Sequence, residues 1–165
     1  MPRYLYLLRH AQSADKQIGQ ADKERMLTAK GSAESNAVGN FLKEKSLIPD
    51  LIITSSAVRA KTTAQVVARI LSYESDRLIL RDDLYQAHVS IFGQIVRDIN
   101  DDINSVMIVG HNPTITLFLD HIRKHVNEEL LPSELVVLKF GFSSWKEVNS
   151  EKFDVDVLER FHPKV

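Results

Sequence analysis

Three apolar runs in this 165-residue chain end in residues suited to handling a phosphoryl group. Leu7-Leu8-Arg9-His10-Ala11 sets a guanidinium beside an imidazole where the run from Tyr4 to Leu8 stops. Ile53-Thr54-Ser55-Ser56-Ala57-Val58-Arg59 puts a second arginine in the first turn of a helix that Ser55 or Ser56 can cap. A cation there opposes the macrodipole, at a cost of a few tenths to about 1 kcal/mol that an intervening anion would remove. Val109-Gly110-His111-Asn112-Pro113-Thr114 holds a second histidine at a corner, with Asn112 suited to the N-cap and Pro113 to the first helical position. Each group alone has an ordinary reading: a strand-end arginine facing water, an Arg59 paired with an acid, a histidine satisfied in the core. Their convergence reads differently. Arginine forks match phosphate oxygens and stabilise the charge that builds on them during transfer. A neutral imidazole attacks phosphorus in line when its other nitrogen donates to a backbone carbonyl, and His10 is placed to do so. His111 would bind the same oxygens and help keep the nucleophile's pKa low.

The elements that must position these residues follow from the pattern of the chain. Tyr4 to Leu8, Leu51 to Thr54 and Val106 to Val109 are short runs without polar alternation, as expected of strands buried on both faces. Helical periodicity falls over Thr28 to Glu44, Ala57 to Leu71, about Ser90 to Ile99, and Thr114 to about Val126. Strands alternating with helices predict a three-layer α/β/α sandwich around a mainly parallel sheet. Leu135 to Leu138 and Phe153 to Leu158 read as closing strands without helices, which makes the sheet mixed. Gln12 to Met26 is polar and aperiodic, a loop after the first strand, and Trp145 is expected in the core. In such sheets ligands bind at the carboxyl ends of the strands, where all three motifs lie.

Composition narrows the function classes. Lys plus Arg total 21 against 22 Asp plus Glu, so nothing announces nucleic acid or an anionic membrane as a partner. Any phosphate site is therefore local. Cysteine is absent, which excludes thiol nucleophiles and disulfides. The N-terminal apolar run is too short for a signal peptide or membrane span, so the expectation is a single cytoplasmic domain over residues 1–165. His121 and His125 lie four apart on a predicted helix, but without a zincin glutamate they read as a solvated face, and no metal or cofactor is expected. Neither a dinucleotide-binding glycine pattern nor a serine-hydrolase elbow is present.

The quoted residues resemble the histidine phosphatase superfamily, the phosphoglycerate mutase-like proteins. Its signature is an Arg-His-Gly ending the first strand, a second arginine opening a later helix, and a second histidine after the fourth strand. Leu8-Arg9-His10-Ala11, Leu27-Thr28-Ala29-Lys30-Gly31, Ser55-Ser56-Ala57-Val58-Arg59-Ala60 with Thr63-Ala64, and Gly110-His111-Asn112-Pro113 match its motifs in order, from residue 4 to about 120. The short length and the Gly-His-Asn-Pro ending are similar to the SixA-like phosphohistidine phosphatases. The resemblance implies that His10 is a nucleophile forming a phosphohistidine intermediate and that Arg9, Arg59 and His111 complete the phosphate pocket. Its implied substrate is phosphohistidine on a protein. Alternatives are a small phosphate ester, or a phosphate-binding adaptor without turnover. Ala11 replaces the superfamily glycine, a small change where φ is negative.

A second departure concerns the general acid. Many relatives carry a glutamate after the third strand, where this chain reads Asp82-Asp83-Leu84-Tyr85-Gln86-Ala87-His88. Asp83, Asp15, Asp22 and Glu24 are the candidates, each in a polar segment where solvated charges are the rule. A phosphoramidate leaving group needs an acid less, since its nitrogen is readily protonated. The same region lacks the long insertion that caps sugar-phosphate sites, so an open pocket is expected. No signature of oligomeric state is present.

Overall fold

The apolar runs are strands. The computed structural model describes residues 1–124, 127–149 and 154–165. Strands β1 (Arg3–Arg9), β2 (Leu51–Ser55), β3 (Leu78–Arg81), β4 (Ser105–Gly110), β5 (Leu135–Phe140) and β6 (Val155–Phe161) form one sheet in the order β3-β2-β4-β1-β5-β6. The first four in that order are parallel, while β5 runs antiparallel to β1 and β6 antiparallel to β5. Helices α1 (Ala29–Glu44), α2 (Val58–Ile70), α3 (Val89–Arg97) and α4 (Thr114–Ile122) connect them. The sheet is mixed, as the helix-free closing segment predicted.

Alternation along β1 and β4 supplies two cores. Leu5, Leu7, Val106 and Ile108 face a cluster that includes Phe92 of α3, Phe118 of α4 and Trp145. Tyr6, Leu8, Met107 and Val109 face a second cluster with Val38 of α1 and Val67 of α2. Every residue of β4 is buried, because helices cover both its faces, which is why its sequence shows no polar alternation. Trp145 is fully buried, and its indole N–H donates to Ile103 O at 2.7 Å.

Several boundaries differ from expectation. The edge strand β3 carries exposed Ile79 and Leu80; its place before Asp82 came from the family resemblance and not from the apolar runs, because four residues beside charged neighbours give too little apolar signal. Helix α3 starts at Val89. Helix α4 starts at Thr114 with Pro113 in the cap position, one residue later than the Asn112 cap predicted. The Asn112 amide instead donates to Leu130 O at 3.0 Å and accepts from Thr116 Oγ1 at 2.6 Å, so tertiary partners outcompete the local cap. Neither serine is the N-cap of α2, which is Ala57, although Ser55 Oγ accepts from Ala57 N at 3.2 Å. His121 is exposed on α4, while His125, Val126 and Phe153 lie outside the described residues.

The segment after β1 is a loop tied down at both ends, with an isolated bridge between Ser13 and Leu27 and a single 3-10 turn at Asp22–Glu24. At its far end Thr28 caps α1 by accepting from Gly31 N at 3.0 Å, and Thr28 N donates to Gln12 O at 3.0 Å. Gly31 makes this approach feasible, since a Cβ there would lie 2.1 Å from the Gln12 carbonyl oxygen. Gly31→Ala is accordingly expected to destabilise the protein by about 1–3 kcal/mol, even though alanine is the better helix former. Urea unfolding checks this: an unchanged or higher midpoint would contradict the close-packed contact.

Candidate active site

The helices leaving β1 and β4 go to opposite faces of the sheet, and the two strands are neighbours, so a crevice opens between their carboxyl ends. His10 and His111 are the first residues past those ends. Their ring centroids lie 5.0 Å apart. His10 N donates to Gly110 O at 3.1 Å, which joins the two corners directly. Ala11 N donates to Thr63 Oγ1 at 3.0 Å, and Thr63 Oγ1 donates to Arg59 O at 2.7 Å. Ser133 N bridges the carbonyls of Arg9 and His10 at 3.2 Å each, and Gln12 N donates to the buried Glu34 carboxylate at 3.3 Å. Backbone on both sides of His10 is thus held by β4, α1, α2 and the segment leading into β5.

The His10 imidazole is buried, and its Nδ1 lies 2.8 Å from Ala11 O. A carbonyl only accepts, so Nδ1 carries the proton and the Nε2 lone pair is left free. Burial pushes His10 down to about 4, against the Ala11 hydrogen bond, and the charges of Arg59, Arg9 and Arg25 lower it further. His111 is held down at about 3, first by burial and then by His10 and Arg59. Its Nε2 lies 2.8 Å from Ser55 Oγ. That hydroxyl also accepts from Ala57 N, and because a hydroxyl can donate once and accept twice it can serve His111 Nε2 in either tautomer. His111 Nδ1 is buried without a hydrogen-bond partner among the described residues.

Both predicted arginines arrive, with company that local spacing did not reveal. Arg9 donates to Leu130 O at 2.9 Å and lies 3.9 Å from Glu129. Arg59 is buried and donates to Asp22 O at 2.8 Å and to Asp22 Oδ2 at 3.1 Å. The acid reading of Arg59 is therefore the observed one. Asp22 also accepts from Tyr85 Oη at 2.6 Å and Arg25 Nη1 at 3.1 Å. These donors, the Tyr85 hydroxyl foremost, hold the Asp22 carboxyl far below the usual carboxylate range. Asp22 enters the site as a fixed anion and is unsuited to be the general acid.

The other acid candidates do not converge on the imidazoles. Asp83 pairs with Arg81 at 2.6 Å, which lowers its pKa, and Asp15 and Glu24 are exposed on the loop after β1. Residues missed from sequence are Arg25, Tyr85, Ser55 and Thr63. Arg25 donates to Ala14 O, Asp22 and Ser13, bracing the loop beside His10. Only their proximity in the fold marks them, apart from Ser55 and Thr63, which lie inside a quoted motif. A cleft of about 580 Å³ opens here, lined by Arg59, Tyr85, Ala87, His88, His111 and Leu117 among others. Among the described residues there is no cluster of acids and histidines able to hold a metal, and no helix long and apolar enough to cross a membrane.

The profile of the histidine phosphatase superfamily (branch 1) matches residues 5–94, and the chain belongs to that superfamily. Within it the chain is SixA-like. It superposes on the chain named SixA phosphohistidine phosphatase from Agrobacterium tumefaciens with a TM-score of 0.82 at 25% identity, over 99% of this chain and 100% of that one. A protein histidine phosphatase SixA solved with tungstate shares the fold at TM-score 0.81 and 18% identity, over 96% of each chain. By sequence, the mitochondrial serine/threonine-protein phosphatase Pgam5 of Drosophila ananassae is 29% identical over 77 residues, or 47% of this chain. The chain spans about a quarter of the length of that relative, 26%.

Two measurements follow from this geometry. Imidazole ¹⁵N resonances should report a neutral Nδ1–H ring for His10 and a neutral ring for His111 from pH 8 down to about pH 5, with His10 protonating only near 4. Protonation near 6.5 would contradict the buried, guanidinium-flanked environment. Thr63→Val should leave Ala11 N–H buried and unpaired, costing about 1–3 kcal/mol in urea unfolding.

Proposed function

We infer that this chain is a phosphatase in which His10 attacks the phosphoryl group and becomes transiently phosphorylated, acting as one domain over residues 1–165. The observation that carries the reading is the Nδ1 contact of His10 to Ala11 O at 2.8 Å, which leaves a buried, neutral Nε2 as the nucleophile. Around it Arg9, Arg59 and His111 form the phosphate pocket. The arginines take the charge that spreads over the equatorial oxygens, and His111 Nδ1–H gains in a phosphoryl oxygen the acceptor it lacks in the protein. Asp22 holds both terminal nitrogens of Arg59, through its backbone carbonyl and its carboxylate, which fixes the guanidinium in place. Water then attacks phosphorus on His10, the P–Nε2 bond breaks, and inorganic phosphate leaves.

The proposed substrate is phosphohistidine on a protein. Its support is the SixA-like fold together with the short passage from β3 to α3, where only residues 82–88 separate the two elements and leave the cleft uncapped. A nitrogen leaving group is also the one that accepts a proton most readily in a pocket whose carboxylates are all engaged or distant.

The test is a rapid alkaline quench after mixing with a radiolabelled phosphohistidine protein, since alkali preserves phosphohistidine. Label should appear on the wild-type chain and decay as phosphate is released, and His10→Ala should show neither. Phosphate release that persists in His10→Ala, or phosphate binding without any release from wild type, would overturn the mechanism. Turnover on sugar phosphates exceeding that on the phosphohistidine protein would instead reassign the substrate to small esters.

A further inference from the structure

The cleft that Arg59 and His111 line carries one titratable side chain that no other residue of the site engages. His88 ends the passage from β3 to α3 and lies in the N-cap position of α3. Its backbone is fixed: its carbonyl accepts from Ile91 N and Phe92 N at 3.1 and 3.2 Å, and the carbonyl before it, Ala87 O, accepts from Thr114 Oγ1 at 2.5 Å. Thr114 begins the helix that follows His111, so this contact ties the rim carrying His88 to the corner carrying His111. The His88 side chain is exposed, lines the cleft with Arg59 and His111, and makes no hydrogen bond or ion pair with any described residue.

The other groups facing that cleft cannot supply a proton. Asp22 is ionised under its three donors. Tyr85 gives its hydroxyl proton to Asp22, and that contact raises its pKa. Arg59 is held by Asp22, and of the His111 nitrogens Nε2 is taken up by Ser55 Oγ while Nδ1 is the one left for the phosphoryl oxygens. Of the neighbouring charges, Lys23 pairs with Asp82 at 3.0 Å while lying 5.7 Å over the Tyr85 ring, and Arg81 pairs with Asp83 at 2.6 Å. His88 is exposed on the wall of the cleft that Arg59 and His111 also line, so a phosphoryl group held by those two residues shares that cleft with it.

We propose that His88 is the general acid of the phosphoryl-transfer step. The claim rests on the assignment of His10 as nucleophile. As the His10 Nε2–P bond forms, the bond from phosphorus to the leaving nitrogen or oxygen breaks, and the electron pair left on that atom takes the proton of the His88 imidazolium. In the second half, neutral His88 accepts a proton from the water attacking phospho-His10. Phosphate is released, His10 regains its free Nε2, and His88 ends as it began.

The experiment measures phosphoenzyme formation in single turnovers, by alkaline quench, for wild type and His88→Gln with p-nitrophenyl phosphate and phenyl phosphate. The second alcohol is much the poorer leaving group and depends more on protonation. Loss of a general acid should slow phenyl phosphate about 100-fold and p-nitrophenyl phosphate far less. It should also abolish the fall in wild-type rate at alkaline pH that marks deprotonation of the acid. Equal losses on both esters, or an unchanged pH profile, would overturn the assignment, with a matched melting temperature confirming that the variant is folded. Phosphoenzyme that forms in wild type and ignores His88 removes only this claim. No phosphoenzyme in wild type on either ester removes the His10 mechanism with it.

Discussion

A nucleophilic imidazole is useful only while it is neutral and has one nitrogen bare. Everything around His10 enforces both conditions. The Ala11 carbonyl occupies Nδ1, and burial beside Arg59, Arg9 and Arg25 makes an imidazolium there unfavourable. The same guanidiniums that repel a proton attract a phosphoryl dianion, so nucleophile activation and substrate binding draw on one electrostatic field. That field is local, because the chain as a whole carries a formal net charge of −1.

Such a concentration of positive charge requires counter-charges that do not quench it. Asp22 meets this need from the loop after β1. Its backbone and carboxylate oxygens both hold Arg59, while Tyr85 and Arg25 also donate to the carboxylate. Because it is locked as an anion, Asp22 steadies the fork of Arg59 across the pH range where the chemistry operates. Glu129 stands in a looser relation to Arg9, 3.9 Å away and partly in water, where an ion pair contributes little.

Positioning comes from sheet topology. With β1 and β4 adjacent and their helices sent to opposite faces, two corners meet over a shared crevice, and the His10 N to Gly110 O bond sets their relative height. Around that bond, Thr63, Glu34 and Ser133 each satisfy a backbone or side-chain group from a different element. Buried polar groups satisfied in this way resist displacement, since breaking one strands its partner. The small residues of the motifs serve the same end: Gly31 admits the Gln12 carbonyl, and Ala11 is fully buried where the chain turns.

The sequence by itself determined the strand-and-helix alternation, the mixed sheet, and the two Arg and two His residues at strand ends. These are readable because apolar runs, helical periodicity and residues placed at strand ends are local, one-dimensional signals. Helix starts were read to within a residue or so, and the miss at Asn112 came from distant partners, Leu130 and Glu129, that local capping rules do not include. Edge strand β3 was too short and too exposed to stand out. Only the tertiary structure decided what becomes of the acids and of the rim. Asp22, Asp83, Asp15 and Glu24 are indistinguishable as letters in polar segments. Folding buries Arg59 against Asp22, pairs Asp83 with Arg81, and leaves the other two in water. Likewise His88 is an unremarkable loop residue until the Thr114 to Ala87 bond draws its loop to the cleft. Protonation state and reach depend on which distant side chains arrive nearby, a relation that sequence spacing does not encode.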